Sequence, residues 1–324
     1  MELLINFGWV VLGLVLLYFG AEWLVKGSSE LALKVGISPL IVGLTVVAFG
    51  TSAPELLVSV SANLKEPPSG DIALGNVVGS NICNLALVLG IAALVAPIRV
   101  HRQVLKREMP ILLVATGVFV AMLWDGEVSR VEGVILAAGV IIYTVSSIRL
   151  GQKGGEVEVD LEVTEAELAE IRSAGAGKVV KDFGLILLGL AALAYGANRM
   201  VFGGGNLALA FGVPEAVIGL TILAFGTSLP EIATVVMASA KGEGDLVTGN
   251  AVGSCIFNLM AVIGITACIS ALSANELQRI DLWVMTGVTV LIFPLMWTRK
   301  TLARWEGALM VMAYLGYTFW LFVR

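Results

Sequence analysis

Apolar residues run along this chain in long blocks, and polar residues collect in the short gaps between them. Stretches such as Ile111 to Leu123 and Leu185 to Ala197 carry no charge at all. A helix needs roughly 20 mostly apolar residues to cross a bilayer core. Ten segments are of that order: 5–26, 38–62, 71–96, 108–124, 129–148, 183–210, 213–239, 246–271, 281–297 and 305–322. The gaps hold turn and charge signals, among them Lys65-Glu66-Pro67-Pro68, Asp125-Gly126-Glu127 and Arg299 to Arg304. The pattern therefore predicts an all-α polytopic membrane protein with ten transmembrane helices. The first segment runs past the length of a signal-peptide core and lacks a basic stretch ahead of it, so it reads as a retained span.

Positive residues favour the cytoplasmic side of a membrane. With the N-terminus outside, the inner side collects Lys34, Arg99, Arg102, Lys106, Arg107, Arg149, Lys153, Arg172, Lys178, Lys181, Lys241, Arg299, Lys300 and Arg304. The outer side keeps Lys65, Arg130, Arg279 and Arg324. Both termini are thus expected outside and the central loop in the cytoplasm.

Two blocks of sequence recur. Gly43 to Glu55, GLTVVAFGTSAPE, returns 176 residues later as Gly219 to Glu231, GLTILAFGTSLPE, with ten of thirteen positions identical. Asp71 to Asn84 returns at a shift of 174 as Asp245 to Asn258, with eight of fourteen identical. The chain divides into a five-helix unit over 1–150, a short acidic linker over 151–182, and a second five-helix unit over 183–324. Five is odd, so the second unit enters the membrane from the opposite side. Inverted repeats of this kind are a transporter architecture.

Composition supports the placement in lipid and narrows the chemistry. Hydrophobic residues make up 58% of the chain and charged residues 14%, against about 25% charged in ordinary soluble domains. A net charge of -5 without a basic patch argues against nucleic acid as a partner. His101 is the only histidine, which removes His-based metal sites and Ser/His triads. Cys83, Cys255 and Cys268 lie scattered in apolar stretches and read as buried, inert thiols.

Each repeat sets a Gly-Thr-Ser-x-Pro-Glu run inside an apolar segment. Pro54 has no N–H to offer the carbonyl of Gly50, and its ring crowds that turn. Pro230 does the same at Gly226. The expectation is a locally unwound helix with free carbonyls near Gly50 and Thr51, and near Gly226 and Thr227. Such backbone is tolerated at membrane depth only where it lines a cavity or binds something. A carboxylate follows each break, Glu55 and Glu231. A glutamate inside the membrane is costly and points to function.

On the next helix of each unit, Asn76, Ser80 and Asn84, and Asn250, Ser254 and Asn258, are spaced i, i+4, i+8 and share one helix face. Gly75 and Gly79, and Gly249 and Gly253, precede them in a spacing that permits close helix approach. Carboxylates, hydroxyls, amides and backbone carbonyls form a hard oxygen environment, suited to calcium or alkali cations. Two glutamates are neutralised by one Ca²⁺ or by more than one Na⁺, so the two ions should compete for one site.

At these residues the chain resembles the cation/calcium exchanger family, most of all the prokaryotic sodium/calcium exchangers. The resemblance implies exchange of about three Na⁺ for one Ca²⁺ by alternating access. It implies Ca²⁺ held by the Glu55 and Glu231 carboxylates and the main-chain carbonyls of Thr51 and Thr227. It implies Na⁺ ligands from Ala48, Thr51, Ser52 and Ser80 in one half, and from Ala224, Thr227, Ser228 and Ser254 in the other. Asn84 and Asn258 would face the centre. Some relatives carry aspartate where this chain has Asn258, which makes potassium co-transport a poorer fit. The expected partners are Ca²⁺, Na⁺ and the lipid bilayer of a prokaryotic inner membrane; no protein partner, no nucleic acid and no resident cofactor are indicated. The expected activity is transport, not enzymatic catalysis. The alternatives are a Ca²⁺/H⁺ exchanger, in which the glutamates carry protons, and a cation channel.

Other polar residues have simpler readings. Glu22, Lys26 and Glu30 could form a gating network but read more simply as interfacial ion pairs. Arg199 aligns with Trp23 in the repeat and is expected near the inner interface. Gly203-Gly204-Gly205 suits either close packing or sliding. The acidic run Glu156, Glu158, Asp160, Glu162, Glu165, Glu167 and Glu170 lacks an EF-hand pattern and reads as a solvated linker.

Overall fold

A computed structural model describes residues 2–35, 37–64, 69–153, 176–212, 224–275 and 277–323. These residues are helical throughout, apart from short connections and four two-residue strands. The first half holds α1 (Glu2–Val35), then α2 (Pro39–Val42), a π-helical turn (Gly43–Val47), α3 (Ala48–Thr51) and α4 (Ala53–Asn63) in one broken span. It continues with α5 (Gly70–Ile82), a π-helical turn (Cys83–Val88), α6 (Leu89–Val95), β1 (Ile98–Arg99), α7 (Met109–Met122), β2 (Glu127–Val128) and α8 (Arg130–Lys153). The second half holds α9 (Ala176–Ala210), α10 (Ala224–Thr227), α11 (Leu229–Ala240), α12 (Gly244–Phe257), a π-helical turn (Asn258–Val262) and α13 (Ile263–Ile269). It closes with β3 (Leu272–Ser273), α14 (Arg279–Arg299), β4 (Thr301–Leu302) and α15 (Arg304–Val323).

Among the described residues, eight helical stretches are long and apolar enough to span a membrane. The other two expected spans correspond to the shorter apolar helix α11 and to α15, which runs Arg304–Val323. Residues 213–223 of the expected seventh span, and 154–175 of the expected linker with its acidic run, lie outside the described residues.

Local chemistry explains several boundaries. Ser38 caps α2, its hydroxyl accepting from the Ile41 N–H at 3.4 Å with Pro39 next in the chain. Ser129 and Glu132 form a capping box at the start of α8: the Ser129 N–H donates to Glu132 Oε2 at 2.8 Å and the Glu132 N–H to Ser129 Oγ at 3.3 Å. At the start of α15 only the carboxylate half survives, with the Ala303 N–H donating to Glu306 Oε2 at 2.7 Å. α1 runs on to Val35, past the expected end near residue 26. Lys34, in its last turn, is held by Glu30 and by Asp182 of α9, so the helix can continue beyond the apolar block. Among the described residues, the ion pairs of this helix therefore run Glu30–Lys34–Asp182, and none joins Glu22 or Lys26.

The two polar-striped spans form the centre. The most apolar window of Gly70–Val95 is 83% buried and that of Gly244–Ile269 is 78% buried, against 17% for Glu2–Lys34. The outer helices therefore face lipid while α5 and α12 face protein. α2 to α3 pack on α12 through its glycines. A Cβ on Gly249 would lie 2.8 Å from the Leu40 carbonyl oxygen, and one on Gly253 would lie 2.8 Å from the Ala48 Cβ. This bears out the close helix approach expected of that pair. The repeat equivalents of Leu40 and Leu44, at 216 and 220, lie outside the described residues.

Contacts between the halves recur with the halves exchanged. β1 pairs with β4 through Ile98 and Leu302, and β2 with β3 through Val128 and Leu272. Adding the 174-residue repeat shift turns one pair into the other. Likewise the Asn63 amide donates to the Thr266 carbonyl at 3.1 Å, and Ser239 Oγ to the Ala92 carbonyl at 2.8 Å. A two-fold relation between the halves requires this exchange. Loops expected on one side also meet in space: Gly244 lies against Arg99 at one end of the bundle, and Gly70 against Ser273 at the other.

α1 and α9 pack antiparallel along a glycine seam. Gly13 faces Gly196, Gly20 faces Gly189, Gly27 faces Asp182, and Gly203 faces Asn6, each close enough that a Cβ would clash with the opposing backbone. The seven-residue spacing keeps all of these on one face of each helix. Close packing is thus what Gly203 does here.

Candidate functional site

The break in each repeat is tighter than the sequence suggests. α3 ends at Thr51 and α4 begins at Ala53, so the discontinuity is the single residue Ser52, with φ -81° and ψ 2°. Ser228 occupies the same place between α10 and α11, with φ -87° and ψ 1°. An unwound stretch at Gly50 and Thr51 is not seen. Proline is well accommodated in the first turn of a helix, where no intrahelical acceptor awaits its missing N–H, and both Pro54 and Pro230 take that place. The proline restarts the helix instead of unravelling it.

This geometry places each carboxylate by rule. Glu55 and Glu231 are the third residues of α4 and α11, beside the free N–H groups and partial positive charge of a helix start. The last carbonyls of α3 and α10 point toward the same break from the other side, as helix C-termini do. Each Ser-x-Pro-Glu run therefore gathers a carboxylate and backbone oxygens at one depth.

Both glutamates are wholly buried, at 0% exposure. Their charges lie within interaction range of each other. Ser80 Oγ donates to Glu55 Oε1 at 3.4 Å, and the Thr227 side chain faces the Glu55 carboxylate. Thr51 and Ser52 face Glu231 without closing to hydrogen-bond geometry on either of its oxygens. Thr51 Oγ1 donates to Asn250 Oδ1 at 3.1 Å and lies 3.4 Å from Ser254 Oγ. The Asn76 amide donates to the Glu55 main-chain carbonyl and to Ser59 Oγ, each at 3.1 Å.

The fold thus brings Glu55, Glu231, Thr51, Thr227, Ser52, Ser80 and Ser254 together. Ser228 is buried and adjoins the same cluster through Cys83. Ala48 is buried under α12. Ala224 opens α10, and its backbone alone is described. Asn84 lies in the π-helical turn Cys83–Val88 and Asn258 opens the turn Asn258–Val262, a type of local helix widening that recurs at functional sites. Both are buried.

Three residues escaped the sequence reading. Asn81 accepts from the Asn258 amide at 3.2 Å and donates to the Cys255 carbonyl at 3.4 Å. Cys255 is the repeat equivalent of Asn81, so the pair straddles the two-fold axis; because the residue types differ, comparing the repeats passes over it. Cys83 is buried as expected, yet it lies beside Ser228 and Tyr314 and within charge range of both glutamates. Its repeat equivalent is Phe257, and neither Cys83 nor Tyr314 has a polar counterpart in the other half to draw attention to it. Cys255 is buried, whereas Cys268 is half-buried.

The site is rich in oxygens that lack partners. Glu55 Oε2, both Glu231 carboxylate oxygens, Ser52 Oγ, Ser228 Oγ, Asn84 Oδ1 and Asn258 Oδ1 are buried without a hydrogen bond among the described residues. Buried acceptors left in this way are costly and call for an explanation. An all-oxygen set of this kind has the chemistry to hold a hard cation such as Ca²⁺ or Na⁺. Among the described residues no group of three or more His, Cys, Asp or Glu is placed to hold a metal ion. Beyond the two carboxylates, the unpartnered oxygens gathered here belong to hydroxyls and amides.

Comparison with known proteins agrees with this chemistry. The family described as "Sodium/calcium exchanger protein" matches twice, over residues 5–149 and 181–323. The chain is 38% identical over 294 residues to the inner membrane protein YrbG of Escherichia coli strain K12, covering 90% of this chain and 88% of that one. It is 31% identical over 347 residues to the sodium/calcium exchanger MaX1 of Methanosarcina acetivorans, covering 98% and 99%. The fold is similar to solved structures of the sodium-calcium exchanger NCX_Mj, with TM-score 0.82, 31% identity and 97% of each chain covered.

Proposed function

The chain belongs to the sodium/calcium exchanger family, and from that premise we propose that it is an antiporter that expels Ca²⁺ against entering Na⁺. The buried, unpartnered oxygens around Glu55 and Glu231 are the observation that carries this reading. Ca²⁺ binds between the two carboxylates and the Thr51 and Thr227 carbonyls. Na⁺ binds through Ala48, Thr51, Ser52 and Ser80 in one half and Ala224, Thr227, Ser228 and Ser254 in the other. Asn84 and Asn258 face the centre. The ions share the glutamates, so loading one displaces the other.

Electrostatics makes the exchange obligatory. Two uncompensated carboxylates held in a low-dielectric interior cost several kcal/mol each, so the empty site resists reorientation. One Ca²⁺ leaves the loaded site neutral, while about three Na⁺ leave it singly positive, and transport is then electrogenic. Alternation between faces involves α1 and α9 together with the broken spans, moving about α5 and α12. The protein sits in a prokaryotic inner membrane with both termini outside and the 151–182 linker in the cytoplasm. The two halves, 1–150 and 183–324, are inverted repeats.

The test is calcium uptake into proteoliposomes under an outward Na⁺ gradient and, separately, under a pH gradient alone. Saturable uptake driven by Na⁺ and accelerated by an inside-positive potential is the expected result, because each cycle then carries one net positive charge out. Indifference to Na⁺ with a response to the pH gradient would assign proton coupling instead. Large single-channel currents would assign a channel.

A further inference from the structure

Outside the ion site, the charge least accounted for is Arg199. The glycine pairings of α1 and α9 centre on Leu16–Leu17 and Ala192–Leu193, where the two-fold relation of the halves also places the middle of the pair. Arg199 lies about 10 Å from that centre at 1.5 Å per residue, inside the roughly 15 Å half-thickness of a hydrocarbon core. It is not near Trp23, with which it aligns in the repeat. The inversion sends aligned positions to opposite depths, and Arg199 lies against Trp9 in the N-terminal part of α1, contrary to the inner-interface expectation.

The guanidinium carbon lies 5.0 Å from the Trp9 ring centre, 5.0 Å from Tyr195 and 5.7 Å from Phe202. Tyr195 and Phe202 are 49% and 50% exposed, on the lipid-facing side of α9. One guanidinium nitrogen, Nη2, donates to Asn198 Oδ1 at 3.1 Å. Nε is buried without a hydrogen bond. Lys34, on the same helix pair, has two carboxylates; among the described residues Arg199 has none. A guanidinium carries five N–H donors, and an unneutralised cation at this depth is expensive. It needs an anion that approaches from the lipid, with oxygens to accept the remaining Nη donors. A phospholipid phosphate has that charge and geometry, and a side chain of this length reaches toward the headgroup level.

We propose that Arg199, with Asn198 and the rings of Trp9, Tyr195 and Phe202, binds the headgroup phosphate of an anionic phospholipid at the lipid-facing junction of α1 and α9. Trp9 belongs to α1 and the other residues to α9, so the bound lipid ties the pair at this end, as the Lys34–Asp182 ion pair ties it at the other.

The experiment uses the full chain, purified in mild detergent and titrated with phosphatidylglycerol, phosphatidylcholine or inorganic phosphate, with retained lipid counted by native mass spectrometry and thermal unfolding followed in parallel. Wild type should retain one phosphatidylglycerol about tenfold more tightly than Arg199→Gln does, the loss of a charge-assisted pair, and should gain thermal stability from that lipid but not from inorganic phosphate. Arg199→Lys, which keeps the charge but loses the planar fork, should fall between them and serves as the readout should Arg199→Gln not fold. Equal retention and equal stabilisation across wild type and the folded variants would overturn the proposal. So would full stabilisation by free phosphate.

Discussion

The two halves of the proposed ion site repeat the same carboxylate, hydroxyl and amide residues and use them differently. In the first half, Glu55 receives the Ser80 hydroxyl, and its main-chain carbonyl is held by Asn76. In the second half, Glu231 has no hydrogen bond on either carboxylate oxygen among the described residues. Asn250, the equivalent of Asn76, turns its Oδ1 to Thr51 and Ser254 of the site instead, leaving its amide nitrogen without a partner among them. An inverted duplication that opens to one face of the membrane only must be unequal. If both halves were alike, the site would face both sides of the membrane or neither. The sequence repeat is symmetric and the bonding is not; under the proposed alternating access, exchanging the two bonding patterns would give alternation a physical basis.

The largest effects should come from removing either carboxylate. Glu55→Gln or Glu231→Gln each leaves a divalent ion with one charge partner, and loss of a buried charge partner costs about 3–5 kcal/mol, or more than about 100-fold in binding. Na⁺-driven uptake of radioactive calcium should fall to background in both. Near-normal uptake in both would remove the site assignment, and loss in only one would make the inequality permanent instead of conformational.

Next in size is Asn258→Asp. A third carboxylate in the centre should tighten Ca²⁺ binding by about tenfold, a modest buried-charge effect, and make transport newly dependent on pH as that acid titrates. Isothermal titration and uptake across a pH series read both. An unchanged profile would place Asn258 outside the ion's reach.

Smaller and more discriminating is the pair Ser80→Ala and Ser254→Ala. Each removes one hydroxyl, a change of about 1 kcal/mol. If the present bonding is the resting state, Ser80→Ala should raise the calcium concentration for half-maximal uptake several-fold more than Ser254→Ala does when Ca²⁺ is offered from the side this state faces. Offering it from the opposite side should reverse the order. Identical effects from both sides would mean the inequality has no functional weight.

The smallest effect lies at the edge of the bundle, where the halves differ again. Glu243 stands just before α12, and Ser69 takes the equivalent place before α5. Burial pushes the Glu243 carboxyl above its ordinary value of 4.5; the neighbouring Ser29 side chain opposes the rise, Asp245 adds to it and Lys241 opposes it. The folded state therefore holds this proton more tightly than the unfolded chain. The stabilisation is complete below pH 4.5 and is lost as pH climbs through the raised value. Glu243→Gln should flatten that part of the melting-temperature profile, and a slope equal to wild type would count against it.

Much of the site was legible along the chain. The repeat marked Glu55, Glu231 and the polar stripes because both copies keep the same residue types at the same spacing, and helical periodicity set each stripe on one face. Asn81 and Cys83 were not legible, since their repeat equivalents are Cys255 and Phe257 and no pattern singles them out. The break was foreseen but misplaced. Proline forbids a hydrogen bond, yet whether the helix unravels or restarts depends on what packs around it, and here the chain restarts after one residue.

By itself, the sequence determined that this protein lives in a membrane, that it is built twice, and that two carboxylates sit beside two helix breaks. These follow from local properties, namely apolar length, residue identity and spacing. Only the tertiary structure decided which hydroxyl meets which carboxylate, that Asn81 and Cys255 meet at the two-fold axis, and that Arg199 lies with Trp9 and not with Trp23. Those are contacts between residues far apart in the chain, set by how helices pack and by the inversion of one half against the other, which spacing along the chain does not encode.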